Sequence, residues 1–460
     1  MPVHDDTIAA IATPPGVGGI GIVRVSGSRS EEICRTLFRS ITAVESLKSH
    51  HLYHGDIISP GTGDVVDEVL VVLMEAPHSY TGENVLEIHC HGGSLILQAV
   101  LSEVVKAGGR LAEPGEFTKR AYLNGRMDLS QAEAVMDLIT ARTDEARACA
   151  LAELKGGLSD RLRSLRSDLI DILSFLESTI DFNEEDISLR PDTVSPKDIE
   201  QAISQIDAIL ATYQAGKFIR NGLSVVITGR PNVGKSSLLN RLLGKRRAIV
   251  TPTPGTTRDF IEESLTIKGV PITLTDTAGI RKEAEAIEDE GITFAWEKAR
   301  AADIVIILID GSEPLTEEDI AVMEQNRERR VILAVNKSDL PHRVHDARMG
   351  ELMSGGEPLW ISAKYGDGIP ALEERIHDLG TKEWEEATGD IILTNLRHKI
   401  SLEEAVTSLK AAHTNLSGIA SPELAAFDLK EALDHLGDII GETTADDILD
   451  RIFSRFCVGK

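Results

Sequence analysis

The segment Gly229-Arg-Pro-Asn-Val-Gly234-Lys235-Ser236 constrains this chain more than any other stretch. It fits G-x-x-x-x-G-K-[ST], follows the apolar run Leu223 to Thr228, and precedes the spaced leucines Leu238, Leu239, Leu242 and Leu243. That order predicts a strand, a glycine loop and a helix that stops at Gly244. Such a loop turns backbone N–H groups and a helix N-terminus toward one point, which suits a phosphate chain. Lys235 is placed to reach the β- and γ-phosphates and to assist catalysis there. The Ser236 hydroxyl is placed to sit on Mg²⁺.

Three further motifs follow in order. Asp276-Thr277-Ala278-Gly279 ends an apolar run and suits the γ-phosphate side, with Asp276 reaching Mg²⁺ through water. Asn336-Lys337-Ser338-Asp339 closes the run Val331 to Val335, and so lies where open α/β sheets bind ligands. The Asp339 carboxylate can accept from N1–H and the 2-amino group of guanine. Adenine offers neither donor and would leave that carboxylate desolvated and unpaired. Ser362-Ala363-Lys364, after Leu359 to Ile361, supplies a second loop to the base. Together the four motifs describe a guanine-nucleotide site.

At 460 residues the chain is too long for one core, and about three domains are expected. Its formal charge of −26 argues against indiscriminate polyanion binding, so any nucleic-acid contact needs a local basic patch. Cys34, Cys90, Cys149 and Cys457 are scattered, with neither zinc spacing nor a disulfide framework. His89-Cys90-His91 lacks a third cluster and is read as ordinary satisfied histidines. The N-terminal residues lack a basic-then-apolar pattern, and Ile304 to Ile309 is too short to span a bilayer. A cytoplasmic protein without a membrane segment is the expectation.

Residues 1–124 alternate between strand-like and helical stretches, an α+β pattern. Residues 125–220 turn helical: Leu158, Leu162, Leu165, Leu169, Leu173, Leu176 and Ile180 form one stripe. The arginines Arg161, Arg163 and Arg166 between them read as a solvated face. Residues 221–379 carry the nucleotide motifs, and the helical period returns over 380–460. The fold class expected is therefore α/β multidomain. A nucleotide-binding α/β domain is inserted into an all-α helical domain that follows an α+β N-terminal domain.

The flanking segments sharpen this. Thr13-Pro-Pro-Gly-Val-Gly-Gly-Ile-Gly-Ile-Val-Arg24, Tyr80-Thr-Gly-Glu83 with His91-Gly-Gly93, and Glu113-Pro-Gly-Glu-Phe-Thr118 resemble the tRNA modification GTPase MnmE (TrmE) family. So do Leu123-Asn-Gly-Arg-Met-Asp-Leu-Ser-Gln-Ala-Glu133 and the closing Phe456-Cys-Val-Gly-Lys460. The resemblance implies a tetrahydrofolate-binding N-terminal domain, a helical domain and a Ras-like P-loop G domain. It also implies a homodimer formed through the N-terminal domains. A heterotetramer with the flavin-dependent (FAD) partner MnmG (GidA) would then place an aminomethyl-type group, such as carboxymethylaminomethyl, on carbon 5 of the wobble uridine of certain tRNAs.

The same resemblance assigns residues. GTP is held by Asn232, Val233, Gly234, Lys235, Ser236 and Ser237, by Thr251-Pro252-Thr253-Pro254-Gly255-Thr256-Thr257, and by the three later motifs. Thr257 joins Ser236 on Mg²⁺. The position after Asp276-Thr-Ala-Gly279 is Ile280, which cannot orient water, so Glu288 is implied as the catalytic residue. K⁺, on Asn232, Thr251, Thr253 and Thr256, is implied in place of an arginine finger, with activation on dimerisation. The 5-formyltetrahydrofolate pocket carries over onto Arg24, Glu83, Arg126 and Lys460. Arg126 stands where the family often has lysine. The resemblance sets Cys457 near that pocket, where a chemical role and a packed helix-end thiol both stay open. A competing reading is an Era-like switch that docks on ribosomal particles. It calls for a basic RNA module after the G domain, whereas the segment here is acidic and helical.

Overall fold

The computed structural model describes residues 6–41, 46–181, 196–246, 262–268, 270–276, 302–344, 357–385, 391–417, 422–444 and 446–459. The chain divides into two compact units. One comprises Met1–Ile139, Leu151–Ile199 and Thr407–Lys460, the other Thr140–Ala150 and Glu200–Val406.

The first unit contains seven strands: β1 (Ile8–Ile11), β2 (Ile20–Ser26), β3 (Phe38–Ser40), β4 (Leu52–Ile58), β5 (Val65–Met74), β6 (Val85–His91) and β7 (Arg110–Leu111). They form one sheet in the order β3-β4-β5-β6-β2-β1-β7, antiparallel except where β1 meets β7. Alternation decides the faces. Val23, Val25, Val69, Val71, Leu73, Leu86 and Ile88 point to a core covered by Ile33 and Leu37 of the helix Ser30–Leu37 and by Leu97, Val100 and Val104 of the helix Ser94–Lys106. Their intervening neighbours Arg24, Glu87 and His89 lie on the opposite, half-open face. The first of these helices has 8 residues. It ends at Leu37, because Phe38–Ser40 pairs instead with Ile57, Asp56 and Gly55 of β4.

Five residues of the predicted leucine stripe are buried, while Leu173 and Ile180 are half-buried and Ile172 takes a place on the buried face instead. Leu158, Leu162, Leu165, Leu169, Ile172 and Leu176 of the helix Gly157–Asp181 are buried, and that helix packs on Pro422–Ile440. Leu429, Ala432, Leu433 and Leu436 are buried on the latter. Full burial of one leucine or isoleucine is worth about 1.5–3 kcal/mol, so these residues hold the helix firmly. Arg166 departs from the solvated-face reading: its guanidinium donates to the Leu433 carbonyl and pairs with Glu442. Arg163 pairs with Asp128 at 2.7 Å.

The second unit is built on β8 (Leu223–Thr228), β9 (Glu262–Ile267), β10 (Val270–Asp276), β11 (Ile304–Asp310), β12 (Val331–Asn336) and β13 (Leu359–Trp360). Their order is β13-β12-β11-β8-β10-β9, all parallel except the β9–β10 pair. Every residue of β11 and β12 is buried, as expected of parallel strands covered on both faces. Leu238 and Leu242 of the helix Lys235–Arg246 and Leu372 and Ile376 of Ile369–Glu385 pack in one core. Met323 of Glu317–Gln325 packs in the core of the other face. The chain passes from β8 to β10 on one side and to β11 on the other. The carboxyl end of β8 therefore lies at the switch point where such sheets take ligands.

Candidate nucleotide-binding site

The phosphate loop begins where β8 ends. Gly229 and Gly234 adopt φ of 146° and 102°, values that a side chain rarely tolerates. A Cβ on Gly229 would also fall 2.3 Å from the Leu308 carbonyl. Within the loop, Lys235 is buried and its Nζ donates to the carbonyls of Gly229 and Arg230, each at 2.8 Å. The ammonium is thus held inside the ring of the loop, at the N-terminus of its helix. Val233 is fully buried beneath, while Asn232, Ser236 and Ser237 are exposed. Asn232 has φ of 66°.

The base loops are joined to this one. Asn336, at the end of β12, donates Nδ2 to the Val233 carbonyl at 2.7 Å and accepts the Ala363 N–H at 2.9 Å. Lys337 sits at φ of 65° and pairs with the buried Asp310. Burial works to raise the Asp310 carboxyl, but Lys337 together with the hydroxyl and amide of Ser312 outweighs it and holds that carboxyl low. Asp339 is exposed, and its Oδ1 accepts the hydroxyl of fully buried Ser362 at 2.7 Å. Lys364 is exposed beside it, with its ammonium over the Tyr365 ring. The loops predicted to hold phosphate and base thus meet at the ends of β8, β12 and β13. The backbone of Asp276 ends β10, which pairs in register with β8.

Several predicted residues lie outside the described ones: Thr251, Pro252, Thr253, Pro254, Gly255, Thr256, Thr257, Thr277, Ala278, Gly279, Glu288 and Lys460.

A second cluster of predicted residues belongs to the first unit. Arg24 on β2 pairs with Glu87 at 2.8 Å, lies over the rings of Tyr80 and Phe117, and donates to the Gly459 carbonyl at 3.4 Å. Glu83 accepts the Ser26 hydroxyl at 2.7 Å and faces the Arg120 guanidinium at 3.3 Å. Arg126 is exposed, and its Cγ would lie 3.2 Å from a Cβ on Gly82. Arg24, Glu83 and Arg126 therefore gather around the segment 79–84, and the chain's last described residues reach Arg24, Pro114 and Gly115. Val458 bridges to Pro114, and Cys457 is exposed with its carbonyl accepting the Gly115 N–H. Cys457 is not a packed core thiol. His89 and His91 are satisfied by Glu87 and Asp67, and no metal cluster occurs among the described residues.

Known families match this layout. The family described as GTP-binding protein TrmE N-terminus matches residues 7–126, and the MnmE helical domain matches residues 129–457. A protein of Syntrophus aciditrophicus named tRNA modification GTPase MnmE is 51% identical over 99% of both chains. The chain belongs to the tRNA modification GTPase MnmE family. MnmE relatives of Natranaerobius thermophilus (43% identical, 99% of this chain and 100% of the relative) and Syntrophotalea carbinolica (44%, 100% of each) agree. As a member of this MnmE family the chain is a GTP hydrolase, and no described helix is long and apolar enough to cross a membrane.

Two arginines of this MnmE-family chain escaped the sequence reading. Arg241, on the phosphate-loop helix, donates Nε to the Ala363 carbonyl at 3.0 Å and Nη2 to the Lys364 carbonyl. No motif marks it, because its partners lie more than 120 residues away. Arg120 is buried and joins Asp6, Glu83 and Glu116. Its i,i+4 spacing from Glu116 was a legible signal.

Proposed function

We propose that this chain hydrolyses GTP to drive a step of tRNA modification, with 221–379 as the G domain, 1–124 as the folate-binding and dimerisation domain, and 125–220 with 380–460 as the helical domain. The observation that carries the nucleotide half is the exposed Asp339 carboxylate, oriented by Ser362 beside a loop tied to the phosphate cradle. The tRNA half rests on full-length kinship to proteins named for it.

Lys235 and the loop amides bind the β- and γ-phosphates, and Asp339 selects guanine by accepting two of its donors. Ser236, an exposed hydroxyl in the first helical turn, and Thr257 fit a hard divalent cation such as Mg²⁺. Asn232, with Thr251, Thr253 and Thr256, offers oxygens suited to K⁺. Bound there, the cations offset charge that develops on the phosphates during transfer. Glu288 orients the attacking water, since Ile280 cannot.

For the second cluster, the Glu83 carboxylate accepts from the amide-like donors of a pterin, and Arg24, Arg126 and Lys460 neutralise carboxylates of a tetrahydrofolate such as 5-formyltetrahydrofolate. The chain works in the cytoplasm as a homodimer with the FAD-dependent MnmG, on the wobble uridine, adding an aminomethyl-type group.

Hydrolysis measured in K⁺ and in Na⁺, together with nucleoside analysis of tRNA from cells lacking the gene, tests this. Loss of the wobble modification and faster turnover in K⁺ are expected. Normal wobble nucleosides in those cells would sink the tRNA assignment, and equal rates in both salts would sink the K⁺ site. Glu288→Ala should bind GTP as before and hydrolyse it at least about a hundredfold more slowly. Unchanged single-turnover hydrolysis would remove Glu288 from the reaction.

A further inference from the structure

We infer that Arg241 is a positioning residue for base recognition, fixing the loop that orients Asp339. The inference rests on the guanine reading of this site. Three links connect the two residues. Arg241 leaves the phosphate-loop helix and donates to two consecutive carbonyls, those of Ala363 and Lys364. A planar guanidinium offers donors in a fixed fork, so two bonds from one group set the direction of that short loop as well as its position. The loop itself closes tightly, Gly366 N–H returning to the Ser362 carbonyl at 2.7 Å. From its first residue, Ser362 Oγ donates to Asp339 Oδ1 at 2.7 Å while accepting the Tyr365 N–H at 3.2 Å.

The carboxylate that reads the base is therefore oriented by a hydroxyl whose loop is clamped from behind. Asn336 holds the front of the same loop through the Ala363 N–H. Without Arg241, the Ala363 and Lys364 carbonyls lose charged donors and the loop loses its clamp to the phosphate-loop helix. Asp339 then loses the orientation that lets one carboxylate meet N1–H and the 2-amino group together.

This makes a specific demand on ligand structure. Hypoxanthine differs from guanine only in lacking the 2-amino group. A misoriented Asp339 should therefore cost guanine more than hypoxanthine. General loosening of the nucleotide would cost both equally. Phosphate chemistry should be untouched, because Lys235 is held by Gly229 and Arg230 rather than by the base loops.

The test compares release of fluorescent GDP and fluorescent inosine diphosphate from the full chain and from Arg241→Ala and Arg241→Lys, alongside steady-state GTP hydrolysis. In Arg241→Ala, GDP should leave about tenfold faster, the scale of one charged hydrogen bond, while inosine diphosphate changes less than about threefold. KM for GTP should rise with kcat at saturation within about twofold. Arg241→Lys keeps the charge without the fork and should recover part of the guanine preference, and it carries the comparison if the alanine variant does not fold. Equal losses for both nucleotides, or no change in either, would overturn the assignment. Failure of the wild-type chain to prefer GDP over ADP would instead overturn the guanine reading beneath it.

Discussion

The side chain of Asn336 bridges two loops, donating to the Val233 carbonyl at 2.7 Å while accepting the Ala363 N–H at 2.9 Å. Gly234 permits the approach, since a Cβ there would lie 2.3 Å from Asn336 Nδ2. Phosphate loop and base loop are thereby linked through this side chain. Asn336→Ala would orphan both buried backbone groups, at about 1–3 kcal/mol each. We expect a lower urea midpoint and faster release of fluorescent GDP and GTP alike. Release rates equal to those of the unaltered chain would mean that the loops keep their places without this residue.

Arg120 dictates a pH dependence in the first unit. It is buried among Asp6, Glu83 and Glu116, and Arg110 pairs with Asp6 and Glu116 from another side. Burial works to raise the Glu116 carboxyl, and likewise that of Asp6, but the two arginines outweigh it and hold both low. Carboxyls that are lower when folded stabilise the fold fully above the ordinary range near pH 4–4.5, and lose that contribution as pH falls through their folded values. Arg120→Met leaves buried carboxylates short of a partner, a change of about 3–5 kcal/mol at neutral pH. Its acid-unfolding midpoint, followed by circular dichroism, should therefore move to higher pH. A midpoint that stays put would show that Arg110 alone suffices.

Thiol reactivity should separate the cysteines. Burial pushes the Cys34 and Cys90 thiols up to about 12, with nearby Glu31 and Asp67 adding to the effect. Cys457 is exposed. At pH 8 an alkylating reagent should label Cys457 within minutes and leave Cys34 and Cys90 untouched until the chain is unfolded, because the thiolate is the reactive form. Mass spectrometry of peptides reads this directly, and early labelling of Cys34 would contradict the packing of Ser30–Leu37 on the sheet.

Where sequence and structure agree, the agreement follows local periodicity. The run Leu223 to Thr228 is β8 to the residue, and Leu158, Leu162, Leu165, Leu169 and Leu176 of the leucine stripe lie on the buried face of one helix. Disagreements arise where a distant partner decides. Gly244 was read as a helix stop, yet the helix continues to Arg246; a glycine inside a helix costs only about 1 kcal/mol, and nothing around Gly244 demands another conformation. The helical pattern of 125–220 gives no sign of the break at Thr212, whose buried hydroxyl turns back to the Ile209 carbonyl while its oxygen accepts the Leu393 N–H. Arg166, Arg120 and Arg241 look alike as isolated charges. Only the fold supplies the carboxylates and carbonyls that separate them.

Gly459 brings the last described residues onto the N-terminal sheet. Its φ is 97°, and a Cβ would fall 2.5 Å from the Ile11 carbonyl, a backbone atom that cannot yield cheaply. The Val458 bridge to Pro114 and the Arg24 bond to the Gly459 carbonyl both depend on that close approach. Gly459→Ala should therefore lift this segment off β1 and free one donor of Arg24, whose pairing with Glu87 stays. Thermal melting should fall by a few degrees, as about 1 kcal/mol does in a unit of this size. Binding of 5-formyltetrahydrofolate should weaken more than that of GTP, because Arg24 belongs to the folate site proposed for the first unit while the phosphate loop stands in the second. Equal weakening of both ligands would mean that the substitution disturbs the whole chain, and the segment would then have no particular part in that site.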